Sequence, residues 1–160
     1  MQIAFRKISG DRHVLAVVRD DGSFEQVECE TRSYLLHDLL HYAVEAEAGL
    51  EFGFWGSVAS GLPLAMRDEP TGRRVTAARS AELAAIERMV GALTAAAKGV
   101  PAAAVFAGAQ TYAQATGEAL PGWLTEAFVA AVQERMRRLL GQWRATAYGR
   151  SIELSWPSGE

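Results

Sequence analysis

A single cysteine, Cys29, in a chain of 160 residues excludes an internal disulfide. A reducing cytoplasm is the compartment expected for such a chain. With no basic side chain next to it to lower its pKa, Cys29 is expected to be an inert strand residue. No apolar run approaches the ~20 residues that a membrane span requires, so no membrane is expected. An excess of basic residues is also missing: 16 Lys and Arg stand against 19 Asp and Glu, a formal net charge of -3. Nucleic acid is therefore not expected as the main partner. The N-terminal residues 1–7 alternate in polarity and are charged by Arg6, unlike a secretory signal. There is no Gly-x-Ser-x-Gly nucleophile elbow, and the three histidines alone define no triad. Gly53, Gly56 and Gly61 have neither the spacing nor the strand-to-helix context of a phosphate-binding loop.

What is present is globular in composition, 49% hydrophobic and 22% charged. The length suits one domain over 1–160, burying roughly two-thirds of its unfolded surface. Three alternating or apolar segments, 3–8, 14–18 and 24–29, are separated by Ser9-Gly10-Asp11 and Asp20-Asp21-Gly22-Ser23. Such short turns predict an antiparallel meander. Helical periodicity covers 34–48, 81–98, 102–116 and 122–147, with punctuation at Thr31 or Ser33, Gly49, Ser80, Gly99, Pro101, Gly117 and Pro121 or Gly122. Residues 151–156 alternate again and are expected to pair with the meander. The fold class is thus α+β: an N-terminal three-stranded antiparallel meander plus a C-terminal strand, with about four helices packed on one face.

Residues 49–79 are the least regular, with a possible short helix near 57–60. Phe52-Gly53-Phe54-Trp55-Gly56 is a dense aromatic turn. Phe52, Phe54 and Trp55 could line a ligand pocket; they could equally plug the end of the core, and that reading is preferred. Arg67, Arg73, Arg74 and Arg79 could grip an anion, but Asp68 and Glu69 stand among them, which favours a self-compensated loop.

The most informative stretch is His37-Asp38-Leu39-Leu40-His41. Residues four apart share a helix face, so two imidazoles can reach one ion. On a helical wheel Leu35, Leu36, Leu39, Leu40, Ala43 and Ala46 make the apolar stripe, and His37, Asp38, His41 and Glu45 lie opposite it, off the expected core face. The pentapeptide resembles the HExxH motif of zinc metalloproteases over five residues. Asp38 stands where that motif has its Glu, one methylene shorter, which puts the general-base role in doubt. A second local similarity is to the HDxxH-plus-downstream-Glu zinc motif of a ubiquinone-biosynthesis family. The position of that Glu is Gly53 here, Glu51 is the nearest acidic substitute, and the strands that begin this chain depart from a helical family. Neither similarity identifies a family.

The third ligand is the gap. Glu45 shares the face but lies about 12 Å from His37 along the helix axis, at ~1.5 Å per residue. Glu51, His13 or a group from another element would have to complete the shell. The expectation ranked first is accordingly a non-catalytic binding or interaction domain, homo-oligomeric, using region 34–56 as its contact or small-molecule surface. The alternative is a divalent-metal site, such as zinc, on His37 and His41 with Glu45 or Glu51 assisting. It would be hydrolytic if Asp38 acts as base.

Overall fold

A computed structural model describes the backbone of residues 1–64 and 77–157, and the side chains of 1–64 and 84–157. Arg67, Arg73, Arg74, Asp68, Glu69 and the Arg79 side chain, named above as an anion-binding possibility, lie outside the described residues.

The strands are β1 (Gln2–Lys7), β2 (Arg12–Val18), β3 (Phe24–Glu30) and β4 (Ser151–Ser155). They form one antiparallel sheet in the order β3-β2-β1-β4, the expected meander closed by the C-terminal strand. In the register Ile3 faces Val17 and Leu154, and Phe5 faces Leu15 and Ile152. Because side chains alternate across a strand, these residues share one face. All six are buried there.

Among the described residues, five α-helices follow the meander: α1 (Leu36–Ala48), α2 (Phe54–Ala59), α3 (Ala77–Ala97), α4 (Ala102–Thr116) and α5 (Glu126–Ala145). They join the sheet's apolar face in one hydrophobic cluster. Among the described residues no helix is long and apolar enough to cross a membrane.

Several boundaries differ from the sequence expectation, each for a local reason. α1 is preceded by a π-helical turn at Thr31–Leu35 rather than by a side-chain cap at Thr31 or Ser33. α3 begins at Ala77, before Ser80. α5 begins at Glu126 rather than at 122, because the Thr125 hydroxyl accepts from Phe128 N at 3.1 Å and sets the N-cap. The helix stops at Gly49 and Gly117 occur as expected, both with left-handed backbone, φ 65° and 73°.

The larger correction concerns α1. Its polar face was expected to lie off the core. Instead Asp38, His41 and Glu45 are buried together with Leu39, Leu40, Ala43 and Val44. A wheel assumes one packed side. Here α1 meets α2, α3 and α5, so only His37 and Glu47 remain exposed on this helix.

The segment after α1 is tied to the sheet by Arg19, a buried cation that follows β2. Its guanidinium donates to Val58 O (2.6 Å), Leu62 O (2.9 Å) and the Glu25 carboxylate (2.6 Å). Glu25 in turn accepts from Leu64 N at 2.9 Å. Buried charge requires such pairing, and the arrangement holds residues 58–64 against β2 and β3.

Candidate metal centre

α1 carries His37 and His41 one turn apart, their ring centroids separated by 4.5 Å. α3 crosses this face and brings Glu87 to it. One ligand atom from each of His37, His41 and Glu87 falls within 4.8 Å of the other two. The closest approach is His41 Nε2 to Glu87 Oε1, 3.4 Å. Zinc bonds to nitrogen and oxygen of ~2.0–2.2 Å place tetrahedral ligands about 3.4 Å apart. His41 and Glu87 already stand at that separation. His37 is half-exposed.

The sequence reading anticipated the two histidines but not the carboxylate. Glu87 lies on a helix whose Ile86, Val90 and Leu93 mark it as a core element, and no local spacing connects it to residue 37. Only the crossing of α1 and α3 does. Glu45, one of the two carboxylates expected as third ligand, is instead fully buried behind His41. Its Oε1 accepts from His41 Nδ1 (3.0 Å) and from Phe54 N (2.9 Å), and its Oε2 accepts from Trp55 N (2.9 Å). Glu51, the other candidate, is exposed and lies outside the cluster. His13 is buried elsewhere, between the rings of Phe5 and Trp143.

The local chain explains how Glu45 acquires its donors. Gly49 ends α1 in a left-handed turn and sends residues 50–55 back over the helix. A Cβ at Gly53 would collide with the Glu45 carboxylate, so glycine there lets the first amides of α2 reach it. Trp55 then donates its indole Nε1–H to Asp38 O at 3.1 Å.

Electrostatically, burial opposes charge on His41, but the adjoining Glu45 and Glu87 carboxylates outweigh it and raise the imidazole from 6.5 to about 9. Burial pushes the Glu45 carboxyl up, against the pull of His41 and the two backbone amides. Two backbone N–H groups, of Phe54 and Trp55, donate one to each Glu45 oxygen, which favours the carboxylate with the shared proton on His41. Interaction with His41 holds the Glu87 carboxyl below the usual range.

With Nδ1 committed to Glu45, His41 directs Nε2 toward Glu87 and His37. That nitrogen is buried, and among the described residues its partner is the Glu87 carboxylate, an ion pair at 3.4 Å without hydrogen-bond alignment. In front of it lies a pocket of about 210 Å³ lined by Ser33, Tyr34, His37, Asp38, His41, Phe54 and Glu87. Of the three aromatic residues expected to line a pocket, Phe54 forms part of this wall, Trp55 is wholly buried in the core, and Phe52 is 46% exposed outside it. Asp38 is buried in the same pocket, its Oδ1 3.6 Å from His37 Nδ1. Two imidazoles, a carboxylate, a carboxylate behind one imidazole and an adjacent small pocket together suit a divalent cation with one side open to solvent or ligand. Comparison of the chain with protein-family models, characterised proteins and solved structures finds no match in any of the three.

Proposed function

We propose that this protein binds a divalent cation, with zinc the best chemical fit, through His37, His41 and Glu87. The observation that carries this reading is His41. Its Nδ1 is fixed by a buried carboxylate, and its buried Nε2 faces the Glu87 carboxylate in an ion pair at 3.4 Å, the separation of two ligands on one zinc ion. Histidine ligands are commonly oriented in this way, by a carboxylate on the other ring nitrogen. A set of two histidines and one glutamate leaves a coordination position open, the arrangement of catalytic rather than structural zinc sites. That position would face the 210 Å³ pocket, which suits a small ligand or the reacting end of a larger one.

Bound there, the cation would supply Lewis acidity. Of the two carboxylates lining the pocket, Glu87 would be a ligand and Asp38 would remain as the base, with Tyr34 and Phe54 among the other lining residues. Hydrolysis is the reaction class this set favours. The single cysteine fits a reducing compartment.

A second reading, a binding domain without a metal, is favoured by the exposed Phe52 beside the same segment. The two are separated by purifying the protein without a histidine tag and measuring its metal content. Stoichiometric zinc, nickel or manganese is expected, lost in His41→Ala, strongly reduced in Glu87→Gln and unchanged in Glu51→Ala. If no metal copurifies and none of the three ions raises thermal stability, the metal reading is wrong.

A further inference from the structure

We infer that occupancy of the cation site and docking of α2 are thermodynamically linked, with Glu45 as the positioning residue that joins them. This inference rests on the metal reading above. The structural basis is one carboxylate serving two clients. The Glu45 Oε1 that accepts from His41 Nδ1 at 3.0 Å also accepts from Phe54 N at 2.9 Å, and Oε2 takes Trp55 N at 2.9 Å. Glu45 is completely buried, so no water replaces a lost partner. Gly53 removes the one side chain that would keep α2 away from it.

The link continues on both sides of Glu45. Trp55 Nε1 bonds Asp38 O on the first turn of α1, and the Phe54 ring lies 6.0 Å from the His41 ring in the pocket wall. Beyond α2, Val58 O and Leu62 O are held by Arg19. A cation on His41 Nε2 fixes the imidazole, keeps Nδ1–H aimed at Glu45 and so fixes the carboxylate that α2 requires. The converse must hold with the same factor, since coupling between two equilibria is reciprocal. α2 docking therefore sets cation affinity, although neither Phe54 N nor Trp55 N touches the cation. The second effect is steric. Phe54 is a wall of the pocket, so the cation regulates the shape of the space in which its own ligand sits.

The test uses the whole chain, with and without zinc, at one pH. Zinc affinity is measured by competition with a chromophoric chelator, and the Phe54 and Trp55 amides are followed by hydrogen exchange. Zinc is expected to slow exchange at both amides at least threefold, while amides of the β2–β3 ladder change less. Glu45→Gln places an amide nitrogen against converging N–H donors. It should weaken zinc by roughly 10- to 100-fold, the usual cost of losing an outer partner of a histidine ligand, and should remove the zinc dependence of exchange. Glu45→Asp, which keeps the charge, should recover part of both. A purely structural Glu45 would lower thermal stability without changing the affinity of the folded protein. The inference is overturned if wild-type protein binds zinc and exchange at Phe54 and Trp55 is unaffected, a result that requires no variant. Zinc affinity in folded Glu45→Gln within twofold of wild type overturns it as well. Failure of wild-type protein to bind zinc overturns this inference and the metal reading together.

Discussion

His41 holds a proton where a cation would bind, and its surroundings determine what pH does to each state. Its imidazole is raised to about 9 in the folded chain, above the 6.5 of an unperturbed histidine. The contribution to stability is therefore complete below about pH 6.5 and is lost as pH rises through about 9. Over that window the metal-free protein should lose on the order of 2–3 kcal/mol. Urea unfolding at pH 6.5, 7.5, 8.5 and 9.5 in the presence of a chelator measures this directly, and a flat profile would contradict the ion-paired state of His41. The zinc-loaded protein should behave differently, since the cation occupies the nitrogen that the proton leaves. How much of this was legible at the level of residues is uneven. His37 and His41 announced themselves by spacing alone. Glu45 was visible on the same face, but its role behind His41 was not, because a wheel gives direction and not depth. Glu87 had no sequence signal, since its proximity comes from a helix crossing between residues 46 apart in sequence (87 against 41).

Among the elements, α2 is the one most constrained by what its glycines make possible. A Cβ at Gly56 would collide with the backbone carbonyl of Glu51, which cannot move without dragging the turn after α1. Gly56→Ala should cost roughly 1–3 kcal/mol or more, as overpacked sites do. Gly91, exposed on α3 with nothing near its missing Cβ, is the natural control: Gly91→Ala should stabilise by roughly 0.5–1 kcal/mol. Thermal melts of the two variants side by side check both signs. The strands and the four long helices could be read from period and punctuation because each carries its own pattern over many residues. α2 was anticipated only in part, as a possible short helix near 57–60, whereas it runs from Phe54 to Ala59. Six residues are too few to show a helical period, and its helicity depends on Glu45 and Arg19, which lie outside it. The same holds for the aromatic turn, where Phe52, Phe54 and Trp55 look alike in sequence yet end up exposed, in the pocket wall and in the core.

For the molecule as a whole, a ligand that binds only the folded state raises stability by mass action. With free zinc at 100 times its dissociation constant the gain is about 2.7 kcal/mol. For a chain of this size that corresponds to an increase in Tm of about 5–10 °C, reversible by chelator and missing in His41→Ala. Equal melting curves with and without zinc would rule out a site of this kind. The strand order has a different consequence, which concerns synthesis. β1 precedes every described helix in the chain, and its two neighbours in the sheet are β2 and β4. β4 follows the five described helices. A growing chain can thus complete the meander and the helical layer while β1 still presents an unpaired edge, the feature that invites pairing with another molecule. β4 is thus expected to be the closing strand of this sheet. A chain ending at residue 149 should contain nearly all of the helix yet be far less soluble than the full chain, which pelleting and light scattering of the two would show. Protection of that edge until Ser151–Ser155 arrives becomes a requirement on how the cell makes this protein.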